Sequence, residues 1–397
     1  MPMKSRTNQF FQLTAVVALT AGLTAVAQSP APTPAPAAPA AAPTWSLGPM
    51  AVSGVLDGYY SYNANRPSDY GNGQVNDYYN FNDKTNQFNL SAAKLSLSHD
   101  ADPVGARIDL LFGRTNEIIN APWTASNSSD ADQLKYIEQA FITFKPAKAK
   151  GLTLDFGKFV TSAGAEVIES KDNWNYSRSL LFVNMLPYWH FGLRSAIPTS
   201  AANTVGLQVV NGWNNVNKSN GGVTIGLTEA YVKPKYSYNL NYYVGPEHAD
   251  TQQGYRNLID TTLLLTPTAK LSAYINYDYL QERNAAYTNG KWVTTDLDTH
   301  MQGLAVAAKY QLDGKQAFAG RYEYGVDNVS SDSSVHATLQ EFTATYEYKW
   351  LEGLLTRLEY RHDWSDQKAF TYGDNAYNTK HQDTLTAAFV AFFGPKR

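Results

Sequence analysis

The sequence predicts an all-β protein: a transmembrane antiparallel β-barrel of about 16 strands with short periplasmic turns and long extracellular loops. Two patterns predict this fold. Apolar or aromatic residues alternate with polar ones over long stretches, as between Phe342 and Trp350, and the side chains of a strand point alternately to its two faces. Short connections also alternate with long polar connections along the chain, which is how a membrane barrel is threaded.

The N-terminal residues are predicted to lie outside the folded barrel, as a cleaved segment followed by an extended one. Residues 1–27 have a basic start at Lys4 and Arg6, an apolar centre and a small-residue cleavage site at Ala25-Val26-Ala27, which is typical of a secretory signal peptide. Residues 28–49 are rich in Ala and Pro and predict an extended periplasmic linker. The outer-membrane barrel is then expected to occupy residues 50–397.

The barrel strands follow from the alternation, taken in chain order. They are predicted over residues 52–62, 86–98, 104–113, 133–145, 151–160, 188–197, 204–213, 223–232, 236–244, 257–265, 271–279, 304–310, 318–324, 342–350, 356–360 and 381–393. Long extracellular loops are predicted at residues 63–85, 114–132, 161–187, 283–299 and 364–380. Tight periplasmic turns are predicted at residues 312–315 and 351–353, where Gly follows a polar residue.

The chemistry of the two strand faces favours a membrane barrel over a soluble β-sandwich. Aromatic residues near the strand ends of the apolar face suit the lipid–water boundary; they are Tyr60, Tyr62, Trp189, Tyr277, Tyr279, Tyr310, Tyr346, Tyr348 and Trp350. The opposite face carries many charges, and burying each in a dry core would cost several kcal/mol. A water-filled lumen removes that cost.

Composition excludes several classes of function. The chain has no Cys, which excludes disulfides, thiolate metal sites and a cysteine nucleophile. A net charge of −3 argues against nucleic-acid binding. No common hydrolase, metalloprotease or phosphate-loop motif is present, so neither an enzyme, a metal site nor a cofactor is predicted. His362 beside Asp363 is the remaining candidate for part of a hydrolase dyad.

Charged residues on the polar strand face are the candidate pore-lining residues. They are Lys94, Arg107, Asp109, Arg194, Lys309, Arg321, Glu323, Glu341, Glu347, Arg357, Glu359 and Arg361, and by the same alternation Asp57, Asp155, Asp260 and Asp278 also face the lumen. Opposed basic and acidic ladders of this kind set the ion selectivity of channels. Alternatively, the charges only pair with each other and stiffen the wall.

The connection at residues 161–187 is predicted to fold into the barrel as a constriction. It combines mixed charges with an apolar run at residues 180–185 that favours burial. Its candidate constriction residues are Glu166, Glu169, Lys171, Asp172 and Arg178. The alternative is a surface loop that packs on its neighbours.

Three stretches resemble the OmpL-like family of outer-membrane β-barrel porins. They are GVLDGYYSYN at residues 54–63, GKFVTSAGAEVIES at residues 157–170 and NGWN at residues 211–214. The resemblance covers the barrel from Val52 to Phe393. It implies an outer-membrane channel for small solutes, without a defined substrate or site.

The sequence thus predicts a porin of the bacterial cell outer membrane that passes small hydrophilic solutes or ions by passive diffusion. Its expected partners are outer-membrane lipid and these solutes, with a homotrimer as the candidate assembly. Three alternatives remain: a solute-selective, sugar-type channel; a closed barrel that acts as an adhesin or structural anchor; and an outer-membrane hydrolase.

Overall fold

Sixteen strands form the wall of a closed antiparallel barrel. The computed structural model describes residues 46–68, 74–120, 134–218, 220–288, 291–329 and 336–394. The expected signal peptide and residues 28–45 of the expected linker lie outside these ranges. In chain order, strands β1 to β16 span Met50–Asn63, Gln87–His99, Val104–Phe112, Ile137–Phe144, Thr153–Val160, Trp189–Pro198, Asn203–Val210, Thr224–Lys233, Tyr236–Pro246, Tyr255–Leu265, Leu271–Thr288, Lys291–Gln311, Gln316–Val329, His336–Leu351, Leu354–Ser365 and His381–Phe393.

Closure leaves the wall without a free edge. Each strand pairs with the strands before and after it, and β16 closes onto β1 with Ala387 opposite Tyr60. Closure matters because backbone groups at a free edge would have no hydrogen-bond partner in lipid. The short strand Ser46–Leu47 folds back on the start of β1. The predicted barrel and its strand number are confirmed.

The two faces of the wall differ as the alternation predicts. On β1, Leu56 points outward and is exposed, whereas the neighbouring Asp57 points inward and is buried. The same contrast separates Leu358 from Glu359 on β15. The outer face therefore offers lipid a band of apolar side chains, and the polar side chains lie inside.

The short periplasmic turns are confirmed. Between β12 and β13, the Asp313 carboxylate accepts hydrogen bonds from the N–H groups of Lys315, at 2.7 Å, and Gln316, at 2.8 Å. Between β14 and β15, Gly353 has φ of +83°, a conformation that a residue with a Cβ rarely adopts.

The prediction of a long loop at residues 283–299 is wrong. β11 and β12 continue through this region as an extended hairpin, with Thr288 opposite Lys291. Asn289-Gly290 stands between them in the sequence, and Asn-Gly is a preferred pair for a two-residue hairpin turn. The polar composition of residues 283–299 concealed this hairpin in the sequence. The predicted loop at 364–380 likewise contains a small hairpin, Phe370–Tyr372 with Asn375–Thr379.

The helices within the described ranges are short. α1, Arg114–Ile119, follows β3, and α2, Leu180–Met185, precedes β6. None of the helices in the described part of the chain is long and apolar enough to cross a bilayer.

Trp189 does not face lipid, contrary to its predicted place in the outer aromatic band. Only 4% of it is exposed. Its indole N–H donates to the carbonyl oxygen of Ile119, at the end of α1, at 2.8 Å, and the Lys158 ammonium lies 3.9 Å from the centre of its ring. The end of α1 therefore covers this part of the wall. The alternation of residues within a strand cannot reveal such a cover.

Candidate functional site in the barrel lumen

The connection between β5 and β6, residues 161–187, crosses the interior of the barrel. Near its start, the Ser162 hydroxyl donates to Asn241 Oδ1 on β9 at 3.0 Å. Further along, Asn175 Nδ2 donates to Thr345 Oγ1 on β14 at 2.7 Å. Because β5 and β14 lie on opposite sides of the barrel, this segment, here called the lumen loop, reaches from one wall to the other.

Three arginines of the wall hold the main chain of the lumen loop. Each donates a hydrogen bond from its guanidinium group to a loop carbonyl oxygen. The contacts are Arg321 Nη1 to Ser177 O at 2.8 Å, Arg357 Nη2 to Asn173 O at 2.6 Å and Arg361 Nη1 to Arg178 O at 2.7 Å. Such bonds satisfy carbonyl groups that a buried loop would otherwise leave unpaired.

Two glutamates of the wall bind the loop N–H groups. Glu359 accepts from the N–H groups of Tyr176 and Ser177, the latter at 2.8 Å. Glu323 accepts from the first two N–H groups of α2, at 2.6 and 3.2 Å. These N–H groups have no partner within the helix, and the helix N-terminus favours a negative charge.

A cluster of one ammonium group and three carboxylates joins strands β2, β3 and β4 to the lumen loop. Lys94 Nζ lies 3.1 Å from Asp109 and also contacts Glu138 and Glu169. Burial alone would raise the pKa of the Glu169 carboxyl, but the attraction of the Lys94 ammonium lowers the pKa to about 2. Glu169 therefore stays ionised, and its ion pair ties the loop to β2.

The apolar part of the lumen loop forms a small core inside the barrel. α2 buries Leu180, Leu181, Phe182 and Met185. Phe81, from the loop after β1, packs edge-on against Phe182 at 5.9 Å between ring centres. Burial of each such side chain contributes roughly 1.5–3 kcal/mol, so this core and the ionic contacts hold the loop together.

The twelve candidate pore-lining residues all face the interior but divide into two groups. Eight are buried beneath the lumen loop or in ion pairs: Lys94, Asp109, Arg321, Glu323, Glu341, Arg357, Glu359 and Arg361. The other four, Arg107, Arg194, Lys309 and Glu347, have side chains that are between 15% and 27% exposed. Most of the charged ladder therefore binds the loop and neighbouring charges rather than water.

The five candidate constriction residues also differ from one another. Glu166 is buried and pairs with Arg321 at 2.6 Å. Arg178 is buried and donates from Nε to the loop's own Val167 carbonyl at 2.9 Å. Glu169 pairs with Lys94 as described above. Lys171 and Asp172 pair with each other at 2.5 Å, and their side chains are 27% and 51% exposed.

Sequence reasoning missed the aromatic residues that join the first loop to the lumen. Tyr79 is hydrogen-bonded to Thr384 on β16 at 2.6 Å, and the Arg361 guanidinium lies 4.2 Å from its ring centre. Tyr78-Tyr79-Asn80-Phe81 is an aromatic run in a loop of Asn, Asp and Gly. Such a run favours burial, and this feature of the sequence could have predicted that the first loop packs into the lumen.

The candidate hydrolase dyad does not form. Asp363 points inward and pairs with Arg361 at 2.6 Å, whereas His362 points outward and contacts Asp383 at 2.8 Å. His362 lines an outer pocket of about 510 Å³ near the extracellular rim, together with Trp364 and other polar side chains. Within the described ranges, no group of three or more His, Asp or Glu side chains is arranged so that it could hold a metal ion.

Two comparisons with known proteins, one with family models and one with solved structures, support this fold. A family model described as "Putative beta-barrel porin-2, OmpL-like" matches residues 49–393, which include all sixteen strands of the barrel. No curated protein sequence matches the chain significantly.

Several solved outer-membrane proteins share the architecture. Over 87% of this chain, it aligns with 97% of in-vitro folded OmpT of Vibrio cholerae, with a TM-score of 0.55 and 10% identity. It aligns with 99% of an anion-selective porin from Comamonas acidovorans, with a TM-score of 0.56 and 10% identity. It also aligns with 97% of Salmonella typhi OmpF in complex with daunomycin, with a TM-score of 0.52 and 14% identity. At these identities the similarity shows the barrel fold alone.

Proposed function

The chain belongs to the OmpL-like beta-barrel porin-2 family of the outer membrane, and from this premise we propose that small hydrophilic solutes and ions diffuse passively through its lumen. The four partly exposed interior charges carry the proposal. Arg107, Arg194, Lys309 and Glu347 all lie near the periplasmic ends of their strands. Charges that remain accessible inside a barrel suit a water-filled vestibule.

The lumen loop would act as the constriction of this pore. Its 3₁₀ turn, Ser170–Asp172, reaches Arg357, the fourth residue of β15, through the bond from Arg357 to the Ser170 carbonyl, at 2.5 Å. Lys171 and Asp172 are then the loop charges nearest to the vestibule. We assign no enzymatic step to the chain.

Stable conductance steps of the purified, refolded protein in a planar bilayer are the expected result. The buried apolar core around α2 favours one alternative, a closed barrel that serves as an adhesin or structural anchor. Absence of conductance from a barrel shown to be folded in the bilayer would support that alternative and contradict the porin proposal. Saturable block of the current by one sugar would instead identify a solute-selective channel.

Substitution Lys309→Glu is expected to increase the permeability ratio of cations to anions by about twofold or more. The change replaces one partly exposed cation with an acid beside Glu347, which already lies 2.9 Å from the Lys309 ammonium. The reversal potential in a salt gradient measures the ratio. Lys270→Glu makes the same charge change in the exposed turn between β10 and β11 and should leave the ratio near the wild-type value. Equal shifts in both variants would contradict a role for Lys309 in the pore.

A homotrimer in outer-membrane lipid is the proposed assembly, by analogy with channels of similar strand number. Native mass spectrometry of the detergent-solubilised protein would show three chains together. A single chain under conditions that preserve the folded barrel would contradict the proposed assembly.

A further inference from the structure

Two aspartates face each other across neighbouring strands inside the barrel. Asp260 on β10 and Asp278 on β11 are direct cross-strand partners, and neither has exposed surface. A single amide group bridges them: Asn276 Nδ2 donates to Asp260 Oδ2 at 3.0 Å and to Asp278 Oδ1 at 2.9 Å. Both carboxylates therefore lie within reach of one small ligand.

This pair accepts hydrogen bonds from the side-chain amides of Asn241 and Asn276 but lacks the basic partner that some other interior acids have. Asp155 pairs with Arg194, and Asp363 pairs with Arg361. Over the described residues, no Lys, Arg or His forms an ion pair with Asp260 or Asp278, and Asp278 Oδ2 has no hydrogen-bond partner. An isolated buried carboxylate is costly, and two neighbouring ones repel each other.

Two further polar residues lie next to the pair along the strands. Thr262 lies two residues from Asp260 on the same face of β10, and Asn239 is its cross-strand partner on β9. More than nine-tenths of each residue is inaccessible to solvent, and neither Thr262 Oγ1 nor Asn239 Oδ1 has a hydrogen-bond partner. Carboxylate, amide and hydroxyl oxygens are the ligands that suit a hard cation.

We propose that Asp260 and Asp278 bind one divalent cation of the Ca²⁺ class, with Thr262 and Asn239 contributing neutral oxygens. Two carboxylates balance the charge of such an ion, and its flexible coordination tolerates ligands from neighbouring strands. The site does not depend on whether the barrel conducts.

The proposed cation site also lies at the base of the lumen loop. Asn276 Oδ1 accepts a hydrogen bond from the Ala165 N–H at 3.2 Å, while its Nδ2 binds the two carboxylates. Asn241 similarly accepts from Ser162 and donates to Asp260 at 2.7 Å. A bound cation fixes the carboxylates, and through these two amides it steadies the loop where it leaves β5.

Calcium titration of the folded barrel tests the proposal. The protein is refolded in detergent without lipopolysaccharide, which itself binds divalent cations, and is dialysed against a chelator. Equilibrium dialysis with ⁴⁵Ca²⁺ should show saturable binding of one ion per barrel, and the thermal unfolding midpoint should rise with Ca²⁺ concentration. Absence of saturable binding to the folded wild-type barrel would overturn the proposal.

Variants separate this site from adventitious binding. Asp278→Asn and Asp260→Asn should each weaken Ca²⁺ binding by at least about tenfold and abolish the Ca²⁺-dependent rise of the unfolding midpoint. Asp155→Asn removes an interior carboxylate that has its own arginine and should leave Ca²⁺ binding unchanged. If the Asp260 and Asp278 variants do not fold, Tb³⁺ luminescence sensitised by tyrosines of the wild-type protein, displaced by Ca²⁺, provides the second measurement. Unaltered Ca²⁺ binding in folded variants, or no displaceable Tb³⁺ signal, would refute the site.

Discussion

Deletion of residues 170–179 is expected to raise the single-channel conductance by roughly twofold or more. The deleted segment supplies the loop carbonyls that bind Arg357 and Arg361 and the N–H groups that bind Glu359. Its removal clears the part of the lumen loop that reaches β14 and β15. A wider water path has a lower resistance, so each open step should carry more current.

Residues next to the two ends of the segment contact each other. The Arg178 guanidinium donates to the Val167 carbonyl at 2.9 Å, and the Ser179 N–H donates to the Glu166 carboxylate at 2.6 Å. The deletion joins Glu169 to Leu180. Arg361 keeps Asp363, and Arg357 keeps Glu347. The two arginines therefore remain paired in the shortened protein, whereas Glu359 and Asp57 lose their donors from the loop.

A deletion of equal length at the extracellular rim is the matched control. Residues 370–379 contain the small hairpin, which packs on the first loop through a ring contact between Phe370 and Tyr78. Its loss should change conductance much less than loss of residues 170–179. Unchanged conductance after deletion of residues 170–179, in a barrel that remains folded, would contradict the constriction role of the lumen loop.

Local alternation was sufficient to predict the wall because a strand repeats every two residues. Tyr322, between Arg321 and Glu323, faces outward, while both charged neighbours face inward. This rule needs only the identities of neighbouring residues, which show which alternate positions face the lumen. It fails where another segment covers the strand, as at Trp189, and where composition hides a turn signal, as in the hairpin of β11 and β12.

The role of each interior charge could not be predicted in the same way. Arg321 binds Glu166 across 155 positions of sequence, and Arg357 binds the Asn173 carbonyl across 184. The position of neither arginine in the sequence indicates which loop residue it will bind. The sequence identified the charged face and the loop separately, but only their contact in space determines which charges are buried.

Substitution Arg321→Met is expected to reduce the free energy of unfolding by about 3–5 kcal/mol. The Arg321 side chain is fully buried, and its guanidinium lies 2.6 Å from Glu166, 2.8 Å from Glu341 and 3.7 Å from Glu323. Methionine retains much of the side-chain volume but removes the charge. Three buried carboxylates then lose their common cation, and the Ser177 carbonyl loses its donor.

Urea unfolding of the barrel in lipid vesicles, followed by tryptophan fluorescence, measures this loss. Lys309→Met is the matched control, since it removes a cation that is 21% exposed and whose partner Glu347 keeps Arg357. Its effect should stay below about 1 kcal/mol, as for other partly exposed ion pairs. Because Arg321 also holds the lumen loop, its variant should show unstable open-channel current, whereas Lys309→Met should not. Equal destabilisation by the two substitutions would mean that water, and not the three glutamates, surrounds Arg321.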